Sequence, residues 1–292
     1  MTIGLRAGTL RLEVEPQVGG AVSAFVLARP EGDFHLMRPL RGANQSLRSG
    51  MFPMVPFANC IRDNTFVFGG RHYRVSPNMA GARLNFHGSG WLSEWRSTEV
   101  TDTSALLLLD DGRVDDVYRY AASQLFALDP QGLDVTLSVT NRGTVAMPFG
   151  FGLHPWFPTH DEALVTLAAT EILRGDPDGQ LVARELITST TDYSTPRRPP
   201  TDYLNVCYAG WGGTAAIEWP SAGIRLALAA DPVFPHLMAH VPADREPVFC
   251  LEPQSNAPCA FDGLGAGPLP PGVHVLQPGE SLAGTVRFRV EV

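Results

Sequence analysis

The sequence predicts an all-β, antiparallel architecture, either a sandwich or a barrel. Apolar and polar residues alternate with a period of two from one end to the other. Turn signals separate the alternating runs, and no long segment carries a helical period. Many strands at short spacing, with no helices between them, argue against a parallel α/β arrangement.

In chain order, the first clear run is Leu10, Leu12 and Val14, alternating with Arg11, Glu13 and Glu15. Gly69-Gly70 lies between Thr65–Phe68 and Arg71–Val75 and reads as the turn of a hairpin. Further turns are expected at Asp110-Asp111-Gly112, Asp129-Pro130-Gln131-Gly132, Asn141-Arg142-Gly143 and Asp176-Pro177-Asp178-Gly179. Leu133, Val135, Leu137 and Val139 alternate with polar residues, and so do Ile224, Leu226 and Leu228. Val286, Phe288, Val290 and Val292 form the last run. Thr188 to Pro200 and Asp262 to Gly279 read as long loops. Strand patterns of one kind flank both loops, so a single domain over 1–292 is expected, with the loops at its rim.

The chain has 292 residues, of which 44% are apolar, enough for a substantial core. Its formal net charge of -8 argues against a nucleic-acid partner. All 22 basic residues are arginine, so the chain has no lysine. Schiff-base chemistry, pyridoxal-phosphate attachment and a Walker-type phosphate loop are thereby excluded. Cys60, Cys207, Cys250 and Cys259 form no Cys-x-x-Cys pair and read as buried reduced thiols, with disulfides or metal ligands as the alternative. Met1 to Leu10 has no apolar core beside a cleavage site, and no apolar run approaches the ~20 residues that cross a membrane. A cytoplasmic protein with no membrane partner is the expectation, as monomer or homodimer.

The segment Phe149-Gly150-Phe151-Gly152-Leu153-His154-Pro155-Trp156-Phe157 carries the first candidate site. In a strand, Gly150, Gly152 and His154 share one face, while Phe149, Phe151 and Leu153 share the other. The glycines are expected to leave open space before the imidazole, in an aromatic-walled pocket that includes Trp156. Pro155 favours extended backbone at His154. The alternative is a hydrogen-bonded core histidine. Glu252 lies in Phe249-Cys250-Leu251-Glu252-Pro253, where apolar neighbours should desolvate it and raise its basicity. An exposed edge-strand glutamate is its alternative.

Asn85 and His87, in Leu84-Asn85-Phe86-His87-Gly88, share a face if this stretch is a strand; with Trp91 they suit sugar recognition. Arg62 is either a ligand contact or a surface residue paired with an acid. His236 and His240 have the i,i+4 spacing of a helical metal site, but Pro235 and Pro242 bracket them and the segment reads extended. Gly263-Leu264-Gly265-Ala266-Gly267 resembles a phosphate loop only in its glycine content.

Together these segments resemble the aldose 1-epimerase (galactose mutarotase) family, in the same order along nearly the whole chain. Gly152-Leu153-His154-Pro155-Trp156-Phe157 matches its Gly-x-His-Pro-aromatic-Phe motif, the most specific signal. Phe86-His87-Gly88 resembles its first histidine motif, and Phe57 to Tyr73 its early Asn-Arg-Ile hairpin. Leu204 to Trp211, Leu251-Glu252-Pro253 with Asn256-Ala257-Pro258, and Leu276-Gln277-Pro278-Gly279-Glu280 resemble later family motifs. The resemblance implies an antiparallel galactose mutarotase-like β-supersandwich with a monosaccharide site in its concave face. It implies Glu252 as general base, His154 as general acid and His87 as a positioning residue, with no metal or organic cofactor.

Two positions depart from the family. Cys60 stands where the family has arginine after the asparagine, and Arg62 lies two residues later. Asn205 stands where the family has aspartate, with Asp202 nearby but out of register. The implied reaction is anomer interconversion of a hexose. Two other readings remain open: a 1-epimerase for a phosphorylated or other anionic sugar, motivated by Arg62, Arg71 and Arg83, and a sugar-binding protein without turnover. Glycoside hydrolysis usually needs two flanking carboxylates, and only Glu252 is suitably placed.

Overall fold

Two large antiparallel sheets dominate the computed structural model, which describes the chain apart from residues 43, 44, 177, 178 and 266 and the side chain of residue 182. Among the described residues, an 11-stranded sheet runs Ile3–Ala7, Leu10–Glu15, Ala21–Leu27, Met51–Met54, Gly152–Pro158, Val248–Gln254, His236–Val241, Leu204–Ala209, Glu171–Gly175 and Leu181–Leu186, with Phe34–His35 on Ala21–Leu27. An 8-stranded sheet contains Leu164–Leu167, Thr214–Trp219, Ile224–Ala230, Ser281–Glu291, Gly132–Asn141, Tyr118–Asp129, Ser104–Val114 and Arg96–Thr98, in that order. The helical elements among the described residues are short 3-10 turns, and none is long and apolar enough to cross a membrane.

Period-two patterning explains how the sheets meet. Leu153 and Phe157, Phe249 and Leu251, and Leu237 and Ala239 point from the larger sheet into the core. There they join Phe126, Val135, Leu137, Leu226, Leu228, Val286 and Phe288 of the smaller one. Phe126, Phe149, Phe151, Phe157 and Phe234 are fully buried. Each contributes about 1.5–3 kcal/mol over an exposed side chain. The residues between these core positions, His154, Trp156, Cys250, Glu252, Met238 and His240, are left to the opposite face.

Most expected elements form as read. The Gly69-Gly70 hairpin joins Thr65–Phe68 to Arg71–Arg74, both glycines having positive φ. The Asp129 to Gly132 turn joins Tyr118–Asp129 to Gly132–Asn141, and residues 188–200 carry no strand. Asp110-Asp111-Gly112 is different: it lies inside Ser104–Val114. Gly112 pairs with Tyr120, and a Cβ there would come within 2.4 Å of the Tyr120 ring. The glycine accommodates an aromatic ring and makes no turn. Pro177 and Asp178 of the expected 176–179 turn, and Ala266 of the glycine run, lie outside the described residues.

The glycines beside His154 also serve another purpose than the one expected. A Cβ on Gly150 would lie 1.9 Å from Asn256 Oδ1, and one on Gly152 would lie 2.6 Å from Met54 Cε. They admit neighbouring side chains and do not open space before the imidazole. Asn256 Oδ1 accepts from Ala58 N–H at 2.9 Å, and its Nδ2 donates to Ala58 O at 2.9 Å. This clasp fixes the segment that leads into Asn59. Gly150→Ala should therefore displace Asn256 and destabilise the fold by about 2–4 kcal/mol in urea unfolding. A change under 1 kcal/mol would show that the clasp is not held by this approach.

Candidate active site

Two adjacent rungs of the larger sheet build the site. His154 pairs with Phe52 across one strand boundary, and Glu252 pairs with Met238 across another. Between their strands, Gly152 opposes Gln254 and Trp156 opposes Cys250, which leaves His154 facing Glu252. The second rung runs Trp156, Cys250, His240 and Asn205. Residues two apart on a strand share a face, so both rungs point the same way. Pro53, Pro155 and Pro253 lie in these central strands. Each removes one ladder donor, and such positions are uncommon away from a sheet edge.

His154 Nε2 lies 3.1 Å from Glu252 Oε1, both side chains being almost fully buried. The imidazole stacks on Phe52, with centroids 4.4 Å apart, and on Trp156 at 5.2 Å. Arg38 places its guanidinium 4.1 Å from the Trp156 ring centroid. Its Nε donates to Ser49 O at 3.0 Å, and it pairs with Glu246. Burial pushes the Glu252 carboxyl well above its ordinary range. Burial, reinforced by His87, His240 and Arg38, holds His154 well below its own. Both effects oppose charge, so the resting contact is a carboxylic acid hydrogen-bonded to a neutral imidazole. Glu252 Oε2, His154 Nδ1 and Trp156 Nε1 are buried without a partner among the described residues.

Above the pair lies a cavity of about 230 Å³. Its wall includes His87, Asn59, Phe86, Gly179, Tyr203, Asn205, Met238 and His240 beside His154, Trp156 and Glu252. His87 is not in a strand; it has φ 61° and sits in a reciprocal link to Asn59. His87 N–H donates to Asn59 O at 2.8 Å, and Asn59 N–H donates to His87 Nδ1 at 3.0 Å. Nδ1 is thus an acceptor and Nε2 carries the proton. Burial lowers the His87 pKa to about 3, so its ring is neutral. His240, lowered to about 4 mainly by burial, lies with Nδ1 3.2 Å from Asn205 Oδ1. Donation from Nδ1 leaves His240 Nε2 as an acceptor. The wall therefore offers both donors and acceptors without formal charge.

The expected site residues divide accordingly. His154, Glu252, His87, Asn205 and Trp156 come together, while Arg62 and Asn85 do not line the cavity. Arg62 is bound to Asp262 and donates to Leu181 O at 2.6 Å. Asn85 Nδ2 donates to Ser76 O at 2.7 Å. Asp202 lies in a separate surface groove with Arg198 and Arg245, so Asn205 holds the wall position. Trp91 is buried, its indole donating to Phe86 O. Asn59, Tyr203 and His240 were not expected at the site. His236 and His240 lie on an extended strand, about 13 Å apart along it, too far to share a metal. His154, Cys250 and Glu252 hold possible ligand atoms within 4.8 Å of one another. Burial pushes the Cys250 thiol far up, against the thiolate that a metal requires.

Comparison with known proteins identifies the family and the fold. The family model described as aldose 1-epimerase matches residues 2–289. The uncharacterized protein YphB of Escherichia coli K12 is 35% identical, with 98% of each chain covered. The crystal structure of a putative aldose 1-epimerase from Escherichia coli K12 superposes with a TM-score of 0.92 at 32% identity, covering 100% of this chain and 99% of the other. A galactose mutarotase-like protein from Clostridium acetobutylicum gives a TM-score of 0.81 at 18% identity, covering 99% of this chain and 94% of its own, and shares the fold. With a mutarotase-like sheet and the histidine and glutamate motifs facing one cavity, the chain belongs to the aldose 1-epimerase family.

Proposed function

We propose that the protein interconverts the α and β anomers of a neutral hexose by acid–base ring opening and closure. One observation carries this reading: a buried His154–Glu252 pair, 3.1 Å apart, beneath a cavity sized for one monosaccharide. The volume is below the range of about 300–1,000 Å³ typical of larger ligands. A core cluster extending from Ile3 to Phe288 supports reading 1–292 as one domain.

The pair works with one shared proton. Moving it from Glu252 to His154 gives a carboxylate and an imidazolium with no change in net charge. Glu252 then takes the anomeric hydroxyl proton, while His154 protonates the ring oxygen and the C1–O5 bond breaks. The pair is again acid and neutral imidazole, facing an open-chain aldehyde. After rotation about C1–C2, the O5 hydroxyl attacks the other face of C1. Its proton returns to His154, and Glu252 reprotonates O1. Each positioned acid or base contributes about 10²–10⁴-fold. His87 Nε2–H and the Asn205–His240 dyad are suited to hold the remaining hydroxyls.

The neutral wall favours a neutral sugar. Among the described residues, no arginine lines the cavity, and Arg62 is held by Asp262. In an NMR anomer-exchange assay, glucose or galactose should turn over faster than hexose phosphates. Preference for the phosphates would overturn the assignment of substrate charge.

Glu252→Gln and His154→Asn should each lower the polarimetric mutarotation rate by about 100-fold or more while the fold is retained. Wild-type rates in either purified variant would remove the proposed roles. The pH profile offers a separate check. With burial raising the Glu252 carboxyl above its ordinary 4.5, the last proton leaves the pair at raised pH. With His154 held below its ordinary 6.5, the second proton is added only at lowered pH. The acid limb of the kcat/KM profile, set by His154, should therefore lie below pH 6.5, and the limb set by Glu252 above pH 4.5. An inflection at 6.5 that disappears in His154→Asn would contradict the neutral resting pair.

A further inference from the structure

Two thiols meet behind the cavity wall. Cys60 and Cys259 have their Sγ atoms 3.9 Å apart, although 199 residues separate them in sequence. Cys259 N–H donates to Cys60 O at 3.0 Å, holding the two backbones side by side. Both sulfurs also grip the segment at Gly179. Cys60 Sγ donates to Gly179 O at 3.4 Å, and Leu181 N–H donates to Cys259 Sγ at 3.4 Å. Gly179 lines the cavity, as does Asn59, the residue before Cys60. Cys207 and Cys250 have no such sulfur partner among the described residues.

We propose that Cys60 and Cys259 form a reversible dithiol–disulfide couple, oxidised by a small peroxide, that reshapes the Gly179 side of the cavity. Cys259 is the attacking sulfur. The one Cys60 S–H can turn from Gly179 O to Cys259 Sγ; in that arrangement it lowers the Cys259 pKa first, with help from the Leu181 N–H and the nearby Arg62. The Cys259 thiolate attacks one peroxide oxygen: an S–O bond forms, the O–O bond breaks, and the departing hydroxide takes a proton to become water. The Cys60 sulfur then attacks Cys259. The S–S bond forms, the S–O bond breaks, and the hydroxyl leaves with the Cys60 proton as a second water. Two thiols lose two electrons and one peroxide gains them. The two residues are only 2% and 3% exposed, which closes them to bulky oxidants and suits a small neutral one.

Oxidation draws the sulfurs from 3.9 Å to about 2.05 Å. It also removes the S–H that Cys60 donates to Gly179. The wall segment thus loses a tether while its neighbour moves. The effect on turnover rests on the proposed epimerase activity, whereas the disulfide does not.

The test treats the full chain with hydrogen peroxide, alkylates the remaining thiols and maps the cysteines by mass spectrometry. One disulfide, Cys60 to Cys259, should appear, with Cys207 and Cys250 alkylated and full reversal by dithiothreitol. The KM of the epimerised sugar should rise about three- to five-fold on oxidation and recover on reduction, as expected for one lost hydrogen bond. Cys60→Ser, or Cys259→Ser should the first fold poorly, should make KM insensitive to peroxide. Cys60 and Cys259 remaining alkylatable, or ending as sulfinic acids, would overturn the proposal. So would a disulfide that leaves both KM and the amide resonances of Gly179, Gln180 and Leu181 unchanged. If the reduced protein turns over no sugar, the functional reading fails, and those amide resonances alone decide this one.

Discussion

The antiparallel register between Gly152–Pro158 and Val248–Gln254 is the constraint on which the site depends. It sets His154 opposite Glu252 and Trp156 opposite Cys250. A slip of one residue would exchange the two faces of the strand, sending Leu153 and Phe157 to the cavity and His154 into the core. The register is pinned from the apolar side, where Leu153, Phe157, Phe249 and Leu251 pack against the smaller sheet. Core packing and site geometry are therefore two faces of one pairing. Gly152 belongs to the same constraint, because any side chain there would strike Met54 and the Pro253 carbonyl.

Desolvation then decides the electrostatics. Phe52 and Trp156 flank the imidazole, and burial of both members of the pair opposes charge on either. The two shifts run in opposite directions and leave a proton count of one across a wide range of pH. Fixed charge is kept behind the wall. Arg38 is buried, but Glu246 and backbone carbonyls receive its guanidinium. The cavity thus combines polar side chains with neutrality, which suits recognition of hydroxyl groups.

Much of this was legible in the sequence because it is local. Alternation gives strands such as Gly132–Asn141 and Ser281–Glu291, and Gly69-Gly70 gives a hairpin. The motifs around His154 and Glu252 point to the two residues that meet. What was not legible is nonlocal. Asp110-Asp111-Gly112 has turn composition, yet the ring of Tyr120 needs the glycine inside a strand. His87 looks like a strand residue, yet its reciprocal bonds with Asn59 hold it at positive φ. His240 enters the site through strand order, which no local pattern encodes. Arg62 reads equally as a ligand contact or as a surface arginine paired with an acid, and no local pattern shows that the acid is Asp262, 200 residues away.

The absence of lysine, first useful for excluding mechanisms, acquires another meaning beside this cavity. Under the proposed reaction every turnover passes through an open-chain aldehyde held at the protein. Side-chain amines condense with such aldehydes. A surface whose cations are all guanidinium groups offers no lysine amine to them. Under that reaction the protein is spared lysine glycation by its own intermediate, and its chemical durability is set partly by its amino-acid composition.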